Sequence, residues 1–385
     1  MLWLKKFIGI NWLLMLFVAT LLTYGVYAIY SAAMPHEAPF WETQLTWVYI
    51  ALPVCLVLAL LDYRWVRWGV IPLYFVGIVA LLACRFVGKE IYGARRWIDL
   101  GFLSFQPSQI AVLGGILAVA VFLDMTRDKS DWMRILVTGV IVFPPWVLVF
   151  LQPDLGSSLV WIPIVLAMLF ASGIAKRWLS VLLLLAAVAV PLSVFVLREH
   201  QIKRITTFLN PDLDPLGDGY NINQSLLAIS TGGWNGKGFM NPDSLNALGF
   251  LPRTIVHNDF IFSVLGEQHG FLGGLALLVV FALFLLTVLA IASAARDDLG
   301  RLLGVGVAAL IFAHIGMNIG MTISVMPITG IPLPFISYGG TFLLITMICM
   351  GLLQSVWIHR KVGAPRKSRE VEIDKEDMRM KGFPL

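Results

Sequence analysis

Asp259 stands immediately before Phe260-Ile261-Phe262, at the start of a long apolar run. A carboxylate at such an edge is partly desolvated, which raises its pKa toward the range where it can take a proton from a hydroxyl. The same position suits an aspartate that only caps a helix and complements its dipole. His257 and Glu267 lie close in sequence as supporting groups. Asp154, behind Gln152-Pro153, also has two readings: a cap for a helix starting near Ser157, or a polar group in a cavity. Arg96, Arg204 and Lys237 fall between apolar runs, where they can bind an anion or merely snorkel and position a loop. Trp97 beside Arg96 suits an amphipathic headgroup, and an ordinary interfacial aromatic belt explains it equally well.

The elements that must position these groups are membrane helices. Of the 385 residues, 58% are hydrophobic and only 13% charged, which excludes an ordinary water-soluble globule. A bilayer core needs roughly 20 apolar residues per helix. Runs of that kind cover residues 9–31, 45–61, 69–86, 107–123, 135–151, 157–174, 178–197, 260–292, 302–325 and 335–357, which predicts an all-α polytopic membrane protein with about ten transmembrane helices. The run from Phe260 to Ala292 is too long for one perpendicular helix, so its first turns are expected outside the hydrocarbon. The first run resembles a signal peptide ending near Ser31-Ala32-Ala33, but its apolar stretch is too long for one and it is read as a retained span. Cys55, Cys84 and Cys349 lack metal-ligand spacing and read as packing residues.

With the N-terminus inside, nineteen of the 28 basic residues fall on the cytoplasmic side, including the tail from Arg360 to Lys381. The other nine are confined to two external loops: Arg85, Lys89, Arg95 and Arg96 in one, and Arg198, Lys203, Arg204, Lys237 and Arg253 in the other. That concentration suits an anionic ligand, unless Glu90, Asp99, Asp212, Asp214 and Asp218 neutralise it. The chain reads as one membrane domain over 1–361, with an external loop at 198–258 and a short cytoplasmic tail at 362–385. Within the loop, Asn210 to Gly219 is dense turn chemistry, and Tyr220 to Ile229 is expected to form a short amphipathic helix resting on the membrane surface. The glycines from Gly232 to Gly238 allow close backbone approach or a plain flexible turn.

Several ordered motifs carry a resemblance. They include Gly93-Ala94-Arg95-Arg96-Trp97-Ile98-Asp99-Leu100-Gly101, Phe105-Gln106-Pro107-Ser108, Gln152-Pro153-Asp154-Leu155-Gly156-Ser157 and Phe208-Leu209-Asn210-Pro211. They continue with Gly219-Tyr220-Asn221-Ile222-Asn223-Gln224-Ser225, His257-Asn258-Asp259-Phe260-Ile261-Phe262 and the run from Pro327 to Gly340. In these the chain resembles the SEDS family (shape, elongation, division and sporulation), and within it the elongation-type members.

The resemblance implies a peptidoglycan glycosyltransferase that polymerises lipid II at the outer face of the cytoplasmic (inner) membrane, for cell elongation and rod shape. It implies Asp259 as the base, with Arg96, Trp97, Gln106, Gln109, Asp154, Arg204, Gln224, Lys237, His257 and Glu267 around the substrate, the cations facing a pyrophosphate. It also implies a class B penicillin-binding protein as transpeptidase partner, alongside other membrane proteins of the elongation complex. No nucleic acid is expected, and a divalent cation accompanying the pyrophosphate is the one cofactor candidate. A lipid-linked precursor transporter or a non-catalytic scaffold would share the polar cavity and basic loops. Two departures stand out. Gln109 and Val112 replace a Glu and a Lys usual in the family, a loss that leaves no lone charge. Arg253 and two additional residues alter the approach to His257, and Gln268 follows Glu267 where a second Glu is common.

Overall fold

The computed structural model describes residues 7–33, 39–91, 94–99, 104–192, 195, 197 and 199–360, so the expected tail at 362–385 lies outside the described residues. Among the described residues, ten largely apolar helices form near the ten expected positions. In chain order they are α1 (Trp12–Ala33), α2 (Phe40–Leu60), α3 (Val66–Val87), α4 (Pro107–Met125), α5 (Asp131–Leu151), α6 (Leu155–Ala171) and α7 (Lys176–Leu192). Two helices of the long loop follow, α8 (Glu199–Leu209) and α9 (Asp218–Gly232), and then α10 (Ile261–Ser293), α11 (Asp298–Thr322) and α12 (Gly340–Ile358). Eight have the length and hydropathy to cross a membrane, while α6 and α7 are shorter at 17 residues each. Seventeen residues rise about 26 Å, near the lower limit for a span. The chain is a multi-pass helical membrane protein.

Helices α4, α11 and α12 are the most enclosed, and α2, α3 and α5 present much of their surface outward. Polar side chains tie helix ends across the bundle. Asn11 caps α1 by accepting from the Leu14 amide, and Gln354 of α12 bonds the Asn11 N–H and carbonyl at 2.8 and 2.9 Å. Such pairing is what backbone groups in lipid require.

Four features differ from the sequence expectation. Between α3 and α4 the chain forms a small antiparallel sheet, β1 (Lys89–Ile91), β2 (Ala94–Asp99) and β3 (Ser104–Phe105), in the order β1-β2-β3. The last span begins at Gly340 rather than Phe335, because the segment before it is a buried non-helical loop in which Thr329, Ile331, Leu333, Phe335 and Ile336 are all enclosed. Helix α8 lies within the long loop, its few apolar residues giving no long run.

The third difference concerns α9, which docks into the helix bundle. Its buried stripe, Gly219, Ile222, Ser225, Ala228 and Gly232, recurs at helical spacing and docks against α10 and α11. Ser225 Oγ lies 2.6 Å from Ser263 Oγ on α10 and donates to the Thr322 carbonyl of α11 at 2.7 Å. Small residues allow this closeness: a Cβ on Gly232 would lie 2.1 Å from the Gly266 carbonyl oxygen.

The fourth is a break in α10 at Gly270 (φ 63°, ψ −162°). The carbonyls of Glu267 and Gln268 accept instead from the amides of Lys237 and Gly238, at 2.9 and 3.0 Å. Beyond the break, the amides of Phe271 and Leu272 donate to the Gly233 and Trp234 carbonyls, at 2.8 and 3.1 Å. The glycine-rich turn thus completes the backbone bonds that the helix gives up. A Cβ on Gly270 would lie 2.4 Å from the Gly236 nitrogen, so both the dihedral and the space demand glycine. The stretch 271–293 is alone about 34 Å long, enough for the bilayer.

Candidate active site

Asp154 and Asp259 come together at one end of the bundle. Asp154 caps α6: Oδ1 accepts from the Ser157 amide at 3.1 Å and Oδ2 from the Ser157 hydroxyl at 2.8 Å. It is also a site residue, because Arg96 of β2 reaches across to it. Arg96 Nη1 lies 3.8 Å from Oδ1, and Nη2 donates to the neighbouring Pro153 carbonyl. Gln106, just before α4, donates to Asp154 Oδ2 at 3.5 Å, and Gln109 donates to the Gln106 side-chain oxygen at 3.5 Å. Both amide contacts are long and weak. Val112, the other departure, packs in the hydrophobic core.

Asp259 is half-buried just ahead of α10, and its backbone is pinned on three successive carbonyls. His257 O accepts from the Tyr338 amide at 2.9 Å, Asn258 O from the Ser337 hydroxyl, and Asp259 O from the Asn318 side-chain amide at 3.0 Å. The same Asn318 amide donates to the Ile331 carbonyl at 2.7 Å, so α11 holds the loop before α12 and the aspartate with one group.

The Asp259 carboxylate itself has no hydrogen-bond or ion-pair partner among the described residues. Burial pushes its pKa up to about 6; Arg204 and Arg96 pull it down and Asp154 pushes it further up. A carboxylate left unpartnered between two guanidinium groups has the character of a base beside an anion site. Arg204, on α8, lies 3.7 Å from Asp218 and 3.4 Å from the Ile328 carbonyl. Arg96 Nε and, on α9, Gln224 Oε1 are among the polar atoms buried without a hydrogen-bond partner among the described residues. Trp97 is half-buried on β2, paired in register with Lys89.

Lys237 and Glu267, expected beside the substrate, form a cluster of their own. Glu267 is 0% exposed; its Oε1 accepts from Lys237 Nζ at 2.8 Å and from the Leu245 amide at 2.6 Å, and Oε2 lies 3.4 Å from the Asn246 amide. Those contacts fasten the long loop between α7 and α10 to α10, and the charges that act on Asp259 are the two arginines and Asp154. His257 is buried too, stacked on Phe40 at 3.8 Å and edge-on to Tyr338, so its ring packs the segment that carries Asp259. Asn318 escaped the sequence reading. The available signal was a polar pair, His314 and Asn318, one turn apart inside an apolar helix, where such groups are costly unless used.

Among the described residues no group of three His, Cys, Asp or Glu side chains is arranged to hold a metal.

A family model described as a cell cycle protein, and named for FtsW, RodA and SpoVE, matches residues 10–362. The peptidoglycan glycosyltransferase MrdB of Escherichia coli K12 is 35% identical over 350 residues, covering 91% of this chain and 94% of its own. A chain from a solved structure described as structural coordination of polymerization and crosslinking by a peptidoglycan synthase complex superposes with a TM-score of 0.78 at 31% identity, over 91% of this chain and 99% of that one. The crystal structure of the rod shape determining protein RodA of Thermus thermophilus gives a TM-score of 0.69 at 29% identity, over 92% and 98% of the two chains.

Proposed function

We propose, from the premise that this chain belongs to the FtsW/RodA/SpoVE family and is a peptidoglycan glycosyltransferase, that it polymerises lipid II with Asp259 as the base. The observation that carries the reading is the unpartnered Asp259 carboxylate, its pKa raised by burial to about 6, held near Arg204 and Arg96. The C4 hydroxyl of the acceptor sugar attacks the anomeric carbon of the donor, and Asp259 takes the hydroxyl proton as the bond forms. The bond from the anomeric carbon to the pyrophosphate oxygen breaks, configuration inverts, and undecaprenyl pyrophosphate leaves with the bonding pair. Arg96 and Arg204 take up its charge. Asp154 holds Arg96 in place, and Gln106, Gln109, Gln224 and Trp97 line the approach for the sugars.

A divalent cation would arrive with the pyrophosphate rather than in a protein cage. The enzyme works in the cytoplasmic membrane, termini inside and the Asp259 end outside, beside a class B penicillin-binding protein that crosslinks the nascent strand. The synthase complex among its structural neighbours supports that pairing. The test is a purified polymerisation assay with labelled lipid II, with and without the transpeptidase. Polymer formation that disappears in Asp259→Asn supports the enzyme; leaflet transfer without polymer would mean a carrier, and neither would mean a scaffold.

A further inference from the structure

The buried loop before α12 is held firmly around a single gap. Ile328, Thr329 and Ile331 are enclosed, whereas Gly330 between them is exposed. Its neighbours are fixed in place. The Ile328 carbonyl accepts from Arg204 at 3.4 Å, the Ile331 carbonyl from Asn318 at 2.7 Å, and the Pro332 carbonyl lies 3.2 Å from His314 Nδ1. Helix α6 presses its first turn on the same loop, where a Cβ on Gly156 would lie 2.4 Å from the Thr329 carbonyl oxygen.

The gap faces the Asp259 carboxylate. A Cβ built on Gly330 meets one atom within 4 Å among the described residues, chain neighbours aside, and that atom is Asp259 Oδ2 at 3.5 Å. Gly330 has φ 68°, a left-handed backbone natural to glycine. Its N–H and C=O have no hydrogen-bond partner among the described residues. In a membrane protein, non-helical backbone left unpaired is tolerated where it lines a water-filled cavity. Beside the carboxylate oxygen there is therefore open space the width of a missing side chain, with one main-chain donor and one acceptor at its edge.

We propose that Gly330 positions the acceptor: the space it leaves open seats the acceptor sugar against Asp259 Oδ2, and its main chain hydrogen-bonds the C3 hydroxyl, next to the attacking C4 hydroxyl. The inference rests on the reading of Asp259 as the base of a lipid II polymerase and says how the acceptor ring is held. A hydroxyl that gives its proton to Oδ2 has to come within about 2.6–3.2 Å of it. That approach brings ring atoms into the volume a side chain at 330 would fill. The donor, held through its pyrophosphate by the arginines, does not need this space. Two vicinal hydroxyls, one on the carboxylate and one on a fixed main chain, set both the distance and the direction of attack.

The test uses the full chain with its transpeptidase partner. Labelled lipid II capped on its C4 hydroxyl can serve only as donor, so the rate at which its label joins uncapped lipid II gives the donor and acceptor KM separately. Gly330→Ala puts a methyl group in contact with Oδ2 and should raise the acceptor KM about tenfold, with the donor KM unchanged, the pattern of binding lost on one side. Gly173→Ala, at the far end of α6, carries the same left-handed strain (φ 85°) with no atom within 4 Å of its Cβ, and should change neither. On the parent, an acceptor lacking its C3 hydroxyl should show a KM raised about fivefold, the scale of one neutral hydrogen bond. On Gly330→Ala the same deletion should add little, because the contact is already broken. Equal changes in the two KM values, a normal acceptor KM in well-folded Gly330→Ala, or a normal KM for the C3-deoxy acceptor on the parent would overturn the assignment. If alanine at 330 prevents folding, Gly330→Asn replaces it, since asparagine enters the left-handed region more readily, and the C3-deoxy acceptor reads the parent without any substitution. A parent protein that makes no polymer sinks the enzyme reading separately.

Discussion

The Asn318 side chain donates to the main-chain carbonyl of Asp259 at 3.0 Å, and to that of Ile331 at 2.7 Å. One turn earlier on α11, His314 Nδ1 lies 3.2 Å from the Pro332 carbonyl. A single face of α11 therefore fixes both Asp259 and the buried loop beside it. The amide touches Asp259 only through its backbone, so it can set the direction of the carboxylate without entering its titration.

Asn318→Leu removes both bonds and orphans two buried carbonyls, at a cost on the order of 1–3 kcal/mol each. Per folded molecule, kcat should fall at least tenfold, with KM and the midpoint of the pH profile little changed. Turnover in detergent, normalised to folded protein by size exclusion, reads this. Undiminished kcat would mean that the carbonyl clamp does not aim the base.

Asp259 gives two pH predictions of opposite origin. As a base it must be ionised, so activity should fall as pH drops through about 6. Arg204 lowers the pKa, so Arg204→Gln should move that acidic limb upward. For stability, the folded pKa lies above the ordinary value of 3.8, so the folded state binds the proton more tightly than the unfolded one. Ionised Asp259 therefore destabilises the fold above about pH 6, less between 6 and 4, and not at all below. Asp259→Asn should be more stable than the parent at pH 8, by on the order of 1–3 kcal/mol, and equal to it at pH 4. A simple helix cap predicts the reverse, a loss of about 1 kcal/mol. Thermal unfolding at the two pH values decides between them.

The spanning helices were legible because each is a long apolar run, Asp154 and Asp259 because each stands at the edge of such a run, and Arg96 and Arg204 because basic residues concentrate in the two loops that hold them. The break at Gly270 was hidden, since a glycine inside an apolar stretch is common and its meaning depends on Gly233 to Gly238 folding onto it from elsewhere in the chain. The docking of α9 was hidden for a related reason: Gly219, Ser225, Ala228 and Gly232 look polar or neutral in sequence, yet small size is what suits them to close helix packing. For Lys237 the sequence left anion binding and loop positioning open, and its bond to Glu267, 30 residues away, ties down the loop.

Lys237 and Glu267 should behave as one unit. Lys237→Met leaves a buried carboxylate with only backbone donors, which is expected to cost about 3–5 kcal/mol. Glu267→Gln alone should cost less, and the double variant should recover much of the loss. Equal effects in single and double variants, measured by thermal unfolding as a double-mutant cycle, would show that the pair is not coupled.

Leu216 is 95% exposed between α8 and α9, and the three native cysteines are buried. Leu216→Cys should react with an impermeant maleimide added to intact cells, against almost no background. Labelling only after lysis would reverse the orientation drawn from the basic residues.

Gln109 and Val112 test the departure from the family pattern. Both are buried, at 4% and 3% exposure on α4, so neither faces lipid as a lone exposed group. Gln109→Glu introduces a carboxylate whose one side-chain partner is Gln106, itself bonded to Asp154. The new charge lies near an existing aspartate with no added cation, which should lower both abundance and polymerisation. Adding Val112→Lys supplies an ammonium one turn away on the same helix face. It also replaces a core side chain, so its own packing cost has to be measured as the Val112→Lys single variant. The double variant should be better than the sum of the singles by 1 kcal/mol or more, the coupling expected of contacting charges. Strict additivity in stability and in turnover would mean that the two positions do not communicate, or that the introduced carboxylate is protonated or reached by water.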